Sequence, residues 1–329
     1  MSERAGTRLS PLVAQIDGPA SRAWDLGERA WEMIAAGRDV IHLGVGDPDM
    51  DIAASVRAAL DKALDAGRTH YSPLAGEAHL RAAVAAQACG LYGVPVAAEE
   101  VVICAGAQGA LYAVLQVVAG PGDEVIVLAP HYTTYPACIA AAGARMVSVP
   151  LDQARGYQPD LAAISAAITP ATRAILINSP GNPSGAVFDA ETMAALVALA
   201  EAHDLWLISD EVYWSLCYDG PHASALARAP GAGRVVVVNS LSKSHAMTGF
   251  RLGWAIGPRP LVDAVGLRPS QREVGTQDQA RCRLVGDQLR NAGREGHIQP
   301  LCLVHHRILV KYLAQPVDHV AAAADFGIR

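Results

Sequence analysis

The stretch Arg234-Val-Val-Val-Val-Asn-Ser-Leu-Ser-Lys-Ser-His-Ala-Met-Thr-Gly-Phe-Arg-Leu-Gly-Trp254 sets a lysine just past the end of an apolar strand. Its valines form a run of strand length, apolar at every position rather than at alternate ones, which suits a sheet covered on both faces. Small hydroxyl residues surround Lys243, and Arg251 lies further along the same loop. A nucleophilic lysine needs surroundings in which its amine can be neutral. Ser240, Ser242 and Arg251 could offer donors to a phosphate, Arg251 as a charge-assisted fork. Taken alone, the same lysine reads first as a surface residue in a polar loop, and it is the surrounding sequence that reverses this.

Working outward, short apolar runs recur at 101–104, 124–128, 145–149, 174–178, 205–210 and 252–257. Helical patterns lie between them at 107–118, 134–142, 161–167 and 190–202. This alternation predicts an α/β fold, a mostly parallel seven-stranded sheet between helices. Ligands of such sheets bind at the carboxyl ends of the strands. Upstream, 20–37 and 52–66 read as helices, and 42–49 as a Gly-punctuated turn after a short strand.

Composition narrows the classes. The chain has 329 residues, 51% of them hydrophobic and 18% charged, enough to bury a sizeable core. A net charge of −6 carries no global basic footprint, so nucleic acid is not expected as a partner. Six cysteines are scattered without a CxxC pair, which predicts a reduced, cytoplasmic protein. Neither a signal peptide nor a membrane span is legible.

Three further motifs fall at predicted strand ends. Ile208-Ser-Asp-Glu-Val-Tyr213 places Asp210 where a carboxylate could pair with a protonated pyridine nitrogen, although an Asp there serves equally as a helix cap. Tyr213 can lie on the same side. Asn178-Ser-Pro-Gly-Asn-Pro-Ser-Gly185 is a turn stiffened by two prolines that aims Asn182 with little freedom. Cys104-Ala-Gly-Ala-Gln-Gly-Ala-Leu111 runs from strand to helix, and small residues there expose amides that could seat a phosphate. Each motif alone is weak; the combination is specific.

In that combination the chain resembles the class I/II aminotransferases, pyridoxal 5′-phosphate enzymes of fold type I, from about residue 20 to about residue 266. The resemblance implies that Lys243 holds the cofactor as a Schiff base and shuttles the proton. It further implies that Asp210 pairs with the ring nitrogen while Tyr213 and Asn182 bond the ring hydroxyl. Tyr132, in Pro130-His-Tyr-Thr-Thr-Tyr135, occupies the place of the stacking aromatic. Gly106, Ala107, Gln108, Ser240, Ser242 and Arg251 gather the phosphate. Tyr71 reaches the neighbouring subunit of a homodimer, and Gly46 approaches the substrate carboxylate. The wording around Trp24, Gly106 and Lys243 is similar to the branch that transfers the amino group of L-arginine to pyruvate, with Trp24 near the substrate side chain. A C–S β-lyase, or an inactive relic, are the alternatives within the same fold type.

The resemblance divides the chain into an N-terminal arm and small-domain segment (1–46), a large cofactor domain (47–266) and an atypical tail (267–329). That tail stands where the family has a C-terminal small domain with an arginine that clamps the substrate carboxylate. It carries nine Arg or Lys and six Asp or Glu, is weakly periodic, and offers no arginine that matches the clamp. Its wording suggests a change of reading frame and an incomplete or divergent small domain. Cys282, His297, Cys302, His305 and His306 have metal-ligating side chains at spacings that fit no zinc pattern, so no metal is expected.

Overall fold

The computed structural model describes residues 10–16, 24–228 and 233–266. The tail, its candidate metal ligands and residues 20–23 of the first expected helix lie outside the described residues.

Seven strands form one sheet: β1 (Val101–Ala105), β2 (Glu124–Ala129), β3 (Arg145–Pro150), β4 (Thr172–Asn178), β5 (Trp206–Asp210), β6 (Val235–Ser240) and β7 (Leu252–Ile256). Their order is β1-β7-β6-β5-β4-β2-β3. Only β7 runs against its neighbours, antiparallel to both β1 and β6. The other pairings are parallel. The described helices are α1 (Pro11–Ile16), α2 (Asp25–Ala35), α3 (Ala54–Asp65), α4 (Ala78–Tyr92), α5 (Gly106–Val118), α6 (Tyr135–Ala141), α7 (Leu161–Ala166), α8 (Ala190–Ala202), α9 (Ala225–Arg228) and α10 (Arg259–Val265).

The unbroken apolarity of the strands follows from two cores, one on each face. Successive side chains of a strand point to opposite sides. On β4, Ala174 and Leu176 face a layer with Leu111, Val114 and Leu115 of α5 and Ile139 of α6. Ile175 and Ile177 face the other way, toward Met193, Leu196 and Val197 of α8 and Phe188. A third core packs α4, through Leu80, Val84 and Ala88, against Val101, Ile103, Trp254 and Ile256 of β1 and β7. Each fully buried Leu or Ile contributes roughly 1.5–3 kcal/mol, so the sheet is held firmly enough to present its edge as a fixed platform.

One expectation is corrected. No strand precedes the turn at 42–49. Ile41 and Leu43 are 83% and 88% exposed, and a strand needs a neighbouring strand to pair with. The sequence pattern there is strand-like, but among the described residues no other strand lies beside it.

Candidate active site

Because only β7 is reversed, the carboxyl ends of β1, β2, β4, β5 and β6 and the amino end of β7 share one edge. Gly106 follows β1, Tyr132 follows β2, Asn182 follows β4, Asp210 ends β5, Lys243 follows β6 and Arg251 immediately precedes β7. Five chain segments meet there, Lys243 and Arg251 sharing the loop between β6 and β7.

The seat at the start of α5 depends on two glycines. A Cβ on Gly253 would stand 2.3 Å from the backbone carbon of Gly106 and 2.5 Å from the amide nitrogen of Ala107. Only glycine lets the first turn of α5 come so close to β7. Gly106 has φ +76°, and a Cβ there would fall 2.7 Å from Nη2 of Arg251. The guanidinium thus lies across the helix start, while Arg251 itself holds a left-handed backbone, φ 50°. No side chain caps α5, and among the described residues no ion pair involves Arg251. The amides of the uncapped helix start, the positive helix end and a guanidinium whose Nη1 donates to the Thr248 carbonyl at 3.0 Å together fit a phosphate.

Gly253→Ala is expected to push α5 off the sheet, lowering stability by about 3 kcal/mol through overpacking against backbone. Thermal unfolding and phosphate affinity measured on the same variant check this; a variant with wild-type values for both contradicts the geometry.

Asp210 is 7% exposed. Its Oδ2 accepts a 2.7 Å hydrogen bond from the Tyr135 hydroxyl, and Oδ1 accepts from the Val212 amide at 3.2 Å. Burial pushes its carboxyl up to about 6; the two hydrogen bonds pull it down and the Glu211 charge pushes it up. A buried carboxylate with so few partners suits a cationic ring nitrogen. Tyr135, which the sequence reading did not single out as a site residue, is fully enclosed at the start of α6. Its place in the 130–135 stretch, three residues after Tyr132, is the signal in the sequence that could have found it.

Asn182 Nδ2 donates to the Tyr213 hydroxyl at 3.2 Å. The Asn182 amide in turn donates to Asn178 Oδ1 at 2.7 Å, so the turn is pinned to the strand that leads into it. Tyr132 is half-buried, its ring edge-on to Tyr135 at 5.8 Å. Lys243 Nζ donates to the carbonyl of Gly46, which brings that glycine into the site. Burial lowers the proton affinity of the Lys243 amine, the Asp47 charge raises it and the Arg251 charge lowers it again.

Other expected residues play narrower parts. Gln108 uses its side chain elsewhere, accepting from Thr134 at 2.6 Å and donating to Cys138 Sγ at 2.8 Å, which leaves its backbone amide for an anion. Ser240 is fully buried and its hydroxyl accepts from the Ser242 amide at 3.3 Å, holding the lysine loop. Trp24, at the start of α2, is 40% exposed, and Tyr71 is 90% exposed. Among the described residues no hydrogen bond ties either one to the site.

The helix start beside Arg251, a buried carboxylate, a pinned Asn–Tyr pair and a half-buried lysine on one edge of such a sheet fit the chemistry of a phosphorylated pyridine cofactor. The sequence pattern described as aminotransferase class I and II matches residues 38–276, and the chain belongs to that family. Its members use pyridoxal phosphate. The chain is 48% identical to the arginine–pyruvate transaminase of Pseudomonas aeruginosa over 255 residues, 77% of this chain and 65% of that protein. It is 40% identical to the aspartate/prephenate aminotransferase of Thermus thermophilus over 243 residues, 74% of this chain and 63% of that one. The match thus spans less than two thirds of either relative. Among solved structures, an aspartate aminotransferase from Thermus thermophilus with maleate superposes with a TM-score of 0.82 at 32% identity, covering 97% of this chain and 75% of that one.

Proposed function

We propose that the chain transfers the amino group of an L-amino acid, L-arginine, to a 2-oxo acid, pyruvate, using pyridoxal phosphate carried by Lys243. The observation behind this reading is the meeting of Lys243, Asp210, the Asn182–Tyr213 pair and the Arg251 seat at one sheet edge. When bound, the cofactor supplies an electron sink for the pair left on the substrate Cα as its proton departs.

The chain's own residues do the rest. A lysine amine whose proton affinity is lowered is more readily neutral, hence both nucleophile and base, and Lys243 Nζ takes the Cα proton and returns it. Asp210, in its dry pocket, holds a proton on the ring nitrogen by charge. Asn182 and Tyr213 present a donor and a hydroxyl to the ring's own hydroxyl, and Tyr132 covers a ring face. The amides of Gly106, Ala107 and Gln108, the Ser240 and Ser242 turn and the Arg251 guanidinium orient the phosphate. Gly46 and Trp24 belong to the substrate side. Residues 47–266 act as the cofactor domain in the cytoplasm, and the exposure of Tyr71 suits a homodimer in which it reaches the partner's site.

Arginine as donor is supported by the identity to the Pseudomonas enzyme and by the Asp47 charge acting on Lys243, a negative charge near where the donor binds. The relatives named above are aminotransferases, which favours amino transfer over β-elimination. With pyruvate as acceptor, alanine formation is expected to be at least about tenfold faster from L-arginine than from L-aspartate, a discrimination of about 1.4 kcal/mol. A preference for aspartate sinks the substrate assignment; pyruvate and ammonia released from a thioether amino acid without an acceptor sink the reaction class.

A further inference from the structure

Directly behind Asp210 lies a buried polar cluster that the proposed reaction does not use. Glu211 is wholly buried. Its Oε1 accepts from the Ser209 hydroxyl at 3.0 Å and the Ala225 amide at 2.9 Å. Its Oε2 stands 2.9 Å from Nε2 of His222, whose side chain is 3% exposed. That is a close contact rather than an aligned hydrogen bond, and His222 Nδ1 has no hydrogen-bond partner among the described residues. The Tyr92 hydroxyl, at the end of α4, lies against the same carboxylate and itself meets the Ser224 and Asn239 side chains. Burying a carboxylate is costly unless it is well held, so such a group in a core calls for a reason.

The reason is where the cluster acts. Ladder bonds fix β5 between β4 and β6 only as far as Asp210. The turn that follows supplies the Val212 amide to Asp210 Oδ1 and carries Tyr213 to Asn182. Glu211 opens that turn; its carbonyl accepts from Trp214 at 3.0 Å and its amide donates to Val238 at 2.9 Å. Alternation along the chain points Asp210 into the site and Glu211 to the opposite face. We propose that Glu211, gripped by Ser209, His222 and the Ala225 amide, is a positioning residue that anchors this turn from behind and so aims the Asp210 carboxylate at the cofactor. This rests on the reading of Asp210 given above.

The test is a double-mutant cycle on the full-length chain, titrated with pyridoxal phosphate and followed by the visible absorbance of the bound cofactor. Glu211→Gln is nearly isosteric, and it is expected to weaken cofactor affinity about tenfold, within the coupling range of contacting residues. In an Asp210→Asn background it is expected to weaken affinity by less than about twofold, because its effect passes through a carboxylate already lost. The pH midpoint of the visible band moves upward in Glu211→Gln, since a ring nitrogen held less firmly in its protonated form repels the neighbouring proton less. Unchanged affinity in the single variant, or a full tenfold loss in both backgrounds, overturns the proposal. Should Glu211→Gln fail to fold, His222→Gln removes one grip only; it is expected to weaken affinity about threefold, and wild-type affinity overturns the idea. A wild-type chain that takes up no cofactor overturns the reading of the site itself, and this inference falls with it.

Discussion

Lys243→Ala is expected to lower amino transfer by at least about ten-thousandfold, on the order of 5 kcal/mol or more, because the proposed mechanism makes one side chain both nucleophile and proton carrier. Borohydride treatment followed by peptide mass analysis gives the sharper readout. Wild-type protein retains the cofactor on the peptide containing Lys243, and the variant retains none. The fold is expected to survive, since Lys243 is half-buried in a loop and its amine donates to the Gly46 carbonyl. Cofactor trapped on Lys62 or Lys311 in the wild type instead refutes the assignment.

Asp210→Asn is expected to cripple function and at the same time steady the ligand-free fold. On the proposed role, leaving the ring nitrogen without its charge partner in a buried site costs about 3–5 kcal/mol, which predicts a rate loss of roughly a hundred- to several thousandfold. Stability moves the other way. Folding raises the Asp210 carboxyl from 3.8 to about 6, so the folded state favours the protonated form. The stability associated with that proton is fully present below the unfolded value and is lost as pH rises through about 6. At pH 8 the wild type therefore bears on the order of 3 kcal/mol of burial penalty that an amide avoids, less about 1 kcal/mol for one acceptor lost to Tyr135 or Val212. Thermal midpoints of the ligand-free proteins should favour Asp210→Asn by roughly 4–8 °C at pH 8 and be about equal near pH 4.5. Curves that stay parallel across that range contradict a strained carboxylate.

The sheet was legible because each strand is a short apolar run bounded by turn residues, and both faces are covered. The extended look of Ile41-His-Leu43 misled, since pairing depends on a second segment that no local pattern reveals. Helix α4 went unmarked because its alanine-rich face carries little periodic contrast, although Leu80, Val84 and Ala88 bury against β1 and β7. Within the proposed site, Lys243, Asp210, Asn182 and Tyr213 sit in local motifs, which is why the sequence brings them forward. The Tyr135–Asp210 bond joins residues 75 apart in sequence. The glycine clearance between Gly253 and Gly106 needs β1 and β7 side by side. Both are products of topology rather than of wording.

The reversed strand has a consequence for how the protein comes into being. β1 leaves the ribosome early, yet its partner in the sheet is β7, and closing a loop of roughly 150 residues is entropically slow. Until the segment through Ile256 has emerged, β1 has an open edge, Gly106 has no Arg251 across it, and α5 has no β7 to dock on. The nascent chain can therefore assemble β2, β3, β4 and β5 as a parallel core while still unable to grip a phosphate. The proposed cofactor site is therefore completed as a single event, when β7 slots between β6 and β1.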